Sequence, residues 1–471
     1  MKQLTVNQLA DVIKAEPLFP GDDRQAAVVS GVSTDSRTIS NGDCFFAIAG
    51  DNFDGHKFVK DAFDKGAVCA VVRGNFQPQM QLEKPVLKVP DTVIALGELA
   101  RFYRNAQRFK VIAITGSVGK TTARQIIHHV LSSRFKTHQS PKNYNNQIGL
   151  PLTLLTAPPD TEIVVAELGT NKTGEISYLT KIASPDIAII TNVYPAHLEG
   201  FGSIEEIAKE KISIAEGLKA AGMLIINTDF PLLKNFCDER KISPLTFGLS
   251  VPAQIRAENI VCSGLKSSFT IEGTAVELPL AGQANIVNAL AAWAVCRQFN
   301  IKIEDFARAL RTVKPADMRA QILQIGTLTV INDCYNANPA SMVNALQMLS
   351  ALNTDGSRRP VFICGDMNEL GKEAEILHQQ LGKQIAQSNI QLLITVGPLT
   401  KITAQTAKQI ANHNIQIICV PDSHIACNIL KNFIKDSDIV LVKGSRAARL
   451  EITIEKLKEL FVSEVSAPAG R

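Results

Sequence analysis

The sequence predicts an α/β protein of three domains. These are a small N-terminal α/β domain (1–85), a central parallel-sheet domain carrying a phosphate loop, or P-loop (86–312), and a C-terminal Rossmann-like domain (313–471). Three observations carry this expectation. At 471 residues the chain exceeds what one core organises, given roughly 150 residues per domain. Short apolar runs alternate with helical patterns, as in a parallel sheet covered by helices on both faces. One strand-to-helix junction, near residue 116, is rich in glycine.

The elements follow in order. MKQLTVNQLADVIKAE reads as an amphipathic helix with charges inside it, unlike a signal peptide. VVSGVSTDSR, CFFAIAG and AVCAVV are strand-like runs separated by turn chemistry such as Asn52-Phe53-Asp54-Gly55. A proline-flanked stretch from Pro85 to Pro90 carries the first expected boundary. VIAIT (111–115) is a continuous apolar strand, followed by the glycine loop and the helix TTARQIIHHVLSSRF. Further buried-strand runs are IVVAE (163–167), DIAIIT (186–191) and MLIIN (223–227), and a helix over 285–299 closes this part. The last block alternates again, with strands at 327–333, 361–365, 392–396, 415–420 and 438–444, a doubly wound pattern. The tail VSEVSAPAGR is small and polar and is expected to be disordered.

Composition narrows the function. Lys and Arg total 49 against 45 acids, a net charge of +4, too small a bias for a nucleic-acid or membrane-surface binder. No apolar run approaches the roughly 20 residues of a membrane helix. Nine scattered cysteines without a CxxC pair fit a reducing cytoplasm and show no zinc-ligand spacing.

ITGSVGKTT sits between a strand and a helix. Gly116 and Gly119 let the backbone curl so that N–H groups of Ser117, Val118 and their neighbours point at phosphate oxygens, aided by the positive end of the following helix. Lys120 can reach the terminal phosphates of a nucleotide, and the hydroxyl of Thr121 or Thr122 can ligate Mg²⁺. The loop is a variant, because GxxxxGK[ST] would place its first glycine at Ile114. Kinases, switches, motors and ligases all carry such loops, so other residues must decide. Glu167 closes the strand IVVAE at its carboxyl end, where ligands bind in such folds, and a carboxylate there can hold a hard cation. His197 follows the strand DIAIIT. Lys209 and Lys211 lie on the next helix among acids, ordinarily a solvated face. An unprotonated lysine, however, can take up CO₂ as a carbamate, which presents oxygens to Mg²⁺.

Ten stretches in chain order resemble the Mur ligase family: STDSR (33–37), DNFDGHKF (51–58), TGSVGKTT (115–122), NYNNQIGLPLT (143–153), AELGTNKTGEI (166–176), NVYPAHLEGFGS (192–203), GQANIVNALAAWA (282–294), NDCYNANPASM (332–342), GDMNELG (365–371) and VKGSR (442–446). The resemblance covers nearly the whole chain. It implies a cytoplasmic, monomeric, ATP-dependent ligase of peptidoglycan precursor synthesis with about two Mg²⁺ ions. Lys120 would face the ATP phosphates, and Glu167 and His197 would hold Mg²⁺ with Thr121. Lys211 would be the carbamylated lysine, with Lys209 as its competitor. Asn288 would contact adenine, Arg319 the phosphates, and Asp333 and Asn336 would face the nucleotide. Ser36, Asp51, Asn52 and Phe53 would contact a uridine diphosphate, and Asn145 and Asn146 would lie near nucleotide and substrate. NPASM with GDMNELG points to the member that adds D-alanyl-D-alanine to UDP-N-acetylmuramoyl-tripeptide.

Three departures stand out. Met318 precedes Arg319 where the family has glycine, so a different backbone is expected there. Asn332 replaces an aspartate. Ala123 and Arg124 replace more usual residues after the loop, with little expected effect. Two alternatives remain. A folylpolyglutamate-type ligase lacks a domain with STDSR and DNFDGHKF. A nucleotide-driven switch or motor leaves Glu167, His197 and Lys211 without a task.

Overall fold

A computed structural model describes residues 1, 3–18, 27–50, 53–77, 84–250, 252–353 and 356–462. Asp51, Asn52 and the tail from 463 onward lie outside the described residues.

The first sheet has five strands in the order Glu16–Leu18, Val86–Val89, Cys69–Arg73, Asp43–Phe46, Gly31–Ser33. Its last four are parallel and its first is antiparallel. Val86–Val89 thus belongs to this sheet although it follows the expected boundary at 85. The helix Val6–Ile13 packs its apolar face inward and is capped by Thr5 in a capping box with Gln8. The helix Thr92–Ala106 leads into the central sheet. Its fully buried Arg104 donates to the carbonyls of Ala183, Phe109 and Ser184 at 2.9, 3.0 and 2.9 Å and to Asp186 Oδ2 at 2.9 Å. A buried guanidinium is tolerable because its donors are satisfied this way.

The central sheet has seven parallel strands in the order Thr137–Gln139, Ile163–Glu167, Lys110–Thr115, Ile187–Ile190, Met223–Asn227, Leu245–Gly248, Ile255–Arg256. The strands flanking Lys110–Thr115 are buried along their length, which explains their unbroken apolar sequence. Chain order reverses around Lys110–Thr115, opening a crevice at the carboxyl ends of the strands. The helix Lys120–Leu131 packs against Gln283–Cys296. The latter starts at Gln283 and gives way to a tighter turn over Arg297–Phe299. A three-stranded antiparallel sheet, Glu258–Ser263, Lys266–Ile271 and Thr274–Leu278, stands apart from the alternating pattern.

The third sheet has the order Gln321–Ile325, Leu328–Asn332, Ile439–Lys443, Pro360–Gly365, Leu392–Val396, Gln416–Val420, parallel except for its first strand. Each expected strand of this block is present. Among the described residues no helix is long and apolar enough to cross a membrane.

Candidate active site

The glycine loop runs from the end of Lys110–Thr115 to the helix Lys120–Leu131. Gly116 has φ +152°, and a Cβ there would stand 1.9 Å from Thr191 Oγ1. Gly119 has φ +82°, and a Cβ would stand 2.4 Å from Asn288 Oδ1. Both positions therefore demand glycine. The loop is braced from the next strand. Val118 N donates to Asn192 Oδ1 at 2.9 Å, Asn192 Nδ2 returns a bond to Val118 O at 2.9 Å, and Thr191 Oγ1 donates to Val118 O at 2.8 Å. Ser117 Oγ donates to Tyr194 O at 2.9 Å. No side chain caps the helix that begins at Lys120. Its first N–H groups thus suit an anion such as a nucleotide phosphate.

Lys120 Nζ donates to Gly116 O at 2.7 Å. Burial lowers its pKa to about 8, with Glu167 opposing and Arg319 adding to the shift. Glu167, at the end of its strand, is 1% exposed. Arg124 Nη1 lies 3.0 Å from Glu167 Oε1, and both side chains are buried. Arg124 also donates to Lys142 O at 2.9 Å. This corrects the expectation that Arg124 has little effect: it is the cationic partner of Glu167. Thr121 Oγ1 is buried without a hydrogen-bond partner, and Glu167 Oε1, 3.0 Å from Arg124 Nη1, makes no well-aligned hydrogen bond. These are oxygen donors of the type Mg²⁺ takes, so the residues present fit that ion. Among the described residues no three His, Cys, Asp or Glu side chains converge into a metal site.

Lys211 and Lys209 lie on the helix Ile204–Ile212, capped by Ser203. Two residues apart, they point about 200° from each other around the axis. Lys211 is 3% exposed and shares the buried side with Ile207 and Ile214. Burial, with the Lys120 charge nearby, lowers its pKa to about 7 against the opposing pull of Glu210. The Glu210 carboxylate is engaged elsewhere, accepting from Gly174 N and Ile176 N at 2.7 Å each. Lys209 extends outward, half exposed, and pairs with Glu206 at 2.5 Å.

His197 adopts φ 56° at the start of the short helix Leu198–Phe201. Its Nδ1 is hydrogen-bonded to Glu369, whose carboxyl this bond holds below the usual range.

Groups of the third block meet this loop across a cavity of about 1460 Å³. Its walls include Lys120, His197, Asn288, Arg319, Asp333 and Lys443, along with Ser117, Thr122, Asn145, Asn146 and Asn336. Arg319 stacks on Tyr335, 4.2 Å from the ring centroid. The residues beside it, Met318 and Ala320, have φ 56° and 51°. Met318 thus keeps a left-handed conformation suited to glycine, instead of the altered backbone its identity suggested. Asp333 accepts from Ala320 N at 2.9 Å and from Lys443 Nζ at 2.6 Å, so it orders the Arg319 turn. Lys443 also donates to Asn336 O at 3.0 Å. Asn146 Oδ1 accepts from Ile148 N and Gly149 N at 3.1 and 2.9 Å, leaving Asn145 packed on Gly169. Buried Asn332 accepts from Cys334 Sγ at 3.0 Å and carries no charge.

Gly116, Thr121, Glu167 and Lys211 are not among the residues that line the cavity. Ser36 and Phe53 are not among its lining residues. Phe53 is 56% exposed and stacks on Phe58 at 5.1 Å. Sequence reasoning named the VKGSR and GDMNELG stretches without singling out Lys443 or Glu369, passed over Asn192, and expected little effect from Arg124. Each of these acts on a partner in another element, which leaves no local spacing signal.

Three family models match in chain order: the Mur ligase family catalytic domain over residues 28–104, the Mur ligase middle domain over 114–296 and the Mur ligase glutamate ligase domain over 318–446. The UDP-N-acetylmuramoyl-tripeptide–D-alanyl-D-alanine ligase of Bacillus subtilis is 35% identical over 99% of this chain and 100% of its own length. Its Escherichia coli counterpart is 33% identical over 98% of this chain and 99% of its own. The crystal structure of MurF from Acinetobacter baumannii superposes with a TM-score of 0.86 at 29% identity, covering 98% of this chain and 99% of that one. MurF ligase from Thermotoga maritima in complex with ADP gives 0.78 at 26% identity, over 92% and 98%. A braced phosphate loop, a cavity shared by two sheets and full-length likeness to these enzymes lead to one conclusion: the chain belongs to the Mur ligase family.

Proposed function

We propose that this protein is the ATP-dependent ligase that joins D-alanyl-D-alanine to UDP-N-acetylmuramoyl-tripeptide, acting as a cytoplasmic monomer in peptidoglycan precursor synthesis. The observation that carries the reading is the meeting of Lys120 and the glycine loop with Arg319, Asp333 and Lys443 around one cavity. A carboxylate is a poor electrophile. Its phosphorylation gives an acyl phosphate, which the dipeptide amine attacks, and phosphate leaves. Lys120 and Arg319 supply positive charge where the phosphoryl group transfers. Asn288, packed on Gly119, would meet the adenine. The N-terminal domain takes the uridine diphosphate, with Ser36, Asp51, Asn52 and Phe53 as its contacts, and the third domain takes the dipeptide.

Thr121, Glu167, His197 and a carbamate on Lys211 would hold Mg²⁺, which supplies charge neutralisation between nucleotide and acceptor carboxylate. Support for Lys211 over Lys209 is its buried side chain, whose pKa burial and the Lys120 charge lower, whereas Lys209 is half exposed and paired with Glu206.

The test is phosphate release and product formation with ATP, D-alanyl-D-alanine and tripeptide acceptors ending in meso-diaminopimelate or L-lysine. Fast release that needs both acceptor and dipeptide is expected. Equal release without either would make the protein a nucleotide hydrolase.

A further inference from the structure

We infer that Glu369 is a positioning residue for His197, and that it acts only while the third domain is docked on the central one. This rests on the reading of His197 as a metal ligand. Glu369 belongs to the loop after Pro360–Gly365 of the third sheet, and His197 follows Ile187–Ile190 of the central sheet. Two bonds join them: His197 Nδ1 to the Glu369 carboxylate, and Glu199 N to Glu369 O at 3.2 Å. The approach is backbone to backbone. A Cβ on Gly371 would stand 3.1 Å from Glu199 Cα.

The loop is held from its own side. Met367 N donates to His378 Nε2 at 3.2 Å, while His378 Nδ1 donates to Ala374 O at 2.7 Å. Asp366 Oδ1 accepts from Thr400 N at 2.7 Å, and Asp366 O accepts from Ser445 N at 2.9 Å. These bonds anchor Asp366 and Met367, three and two residues before Glu369, from within the third domain. A carboxylate acceptor places the His197 proton on Nδ1 and leaves Nε2 with its lone pair, on a residue that lines the cavity. Undocking removes the carboxylate. The imidazole is then free to rotate and to exchange tautomers, so metal affinity follows domain docking.

The experiment measures Mn²⁺ binding to the full chain by electron paramagnetic resonance, with a non-hydrolysable ATP analogue present. It compares wild type, His197→Ala, Glu369→Ala, Glu369→Gln and the double variant His197→Ala/Glu369→Ala. Glu369→Ala should weaken the ion that His197→Ala weakens by about 10–100-fold. The double variant should be no worse than His197→Ala alone. Glu369→Gln, which keeps shape and one acceptor, guards against misfolding and should fall between wild type and Glu369→Ala. If His197→Ala weakens the ion and the Glu369 variants do not, the inference fails while the ligand reading stands. The inference also fails if the two losses add. If His197→Ala leaves Mn²⁺ binding unchanged, the ligand reading fails and takes the inference with it.

Discussion

Glu167 is buried at the end of its strand, and among the described residues its ion-pair partner is Arg124, 3.0 Å away. A buried carboxylate whose partner is removed keeps its desolvation penalty and loses the attraction that offset it. Arg124→Ala should therefore destabilise the protein by about 3–5 kcal/mol, read as a lower urea midpoint with unchanged slope. Arg124→Lys should recover part of the loss. A midpoint within error of wild type for Arg124→Ala would show the pair to be energetically idle. The sequence placed Glu167 correctly at a strand end because strand ends are local features. It missed the role of Arg124, expecting little effect from it, because the two residues meet only through the crossing of a helix and a neighbouring strand. A second expectation at this scale concerns His378, which is fully buried and accepts from Met367 N. Burial lowers its pKa below the ordinary 6.5, as it does for His128 and His138. The unfolded chain then takes up protons first as pH falls below 6.5. Stability from these groups is complete above that value and is lost on acidification toward their folded pKa values. Urea midpoints measured from pH 7.5 to 5.5 should decline, and less so in His378→Gln. Flat midpoints across that range would refute the assignment.

Among the elements, the helix Ile204–Ile212 separates two lysines that composition treats alike. Helical geometry allows only one to face inward, and the structure buries Lys211 with Ile207 while Lys209 pairs with Glu206. Lys211→Ala should lower ligation by at least about 10²-fold, the scale of removing one charge-stabilising group, and Lys209→Ala should stay near wild type. A small carboxylic acid in the buffer should restore part of the Lys211→Ala loss. The reverse ranking would move the carbamate to Lys209, and two silent variants would remove it from the mechanism. Periodicity made this helix readable. It did not reveal the antiparallel sheet Glu258–Leu278, although ENIVCSGLKSSFTIEGTAVEL alternates and turns at Gly264 and Gly273. Its exposed positions are mostly polar, so it lacks the continuous apolar runs that marked the buried parallel strands.

On the scale of the molecule, Lys120 and His197 of the central domain and Arg319, Asp333 and Lys443 of the third line one cavity. Assembly of that kind favours closure on ligands. Small-angle scattering should show a smaller radius of gyration when an ATP analogue, tripeptide acceptor and D-alanyl-D-alanine are added together. An unchanged radius in protein that demonstrably binds all three would reject closure. The three alternating blocks were legible from strand and helix patterning. How they meet was not, because Arg319, Lys443 and Glu369 are joined to the loop and His197 by docking, for which one sequence has no periodic signal. Their order along the chain has a consequence for biosynthesis. A ribosome completes the glycine loop, Glu167 and His197 well before it reaches Arg319, Asp333, Glu369 and Lys443. On the reading proposed for Arg319, a half-made chain whose central sheet has folded would bind nucleotide phosphates without the arginine of phosphoryl transfer.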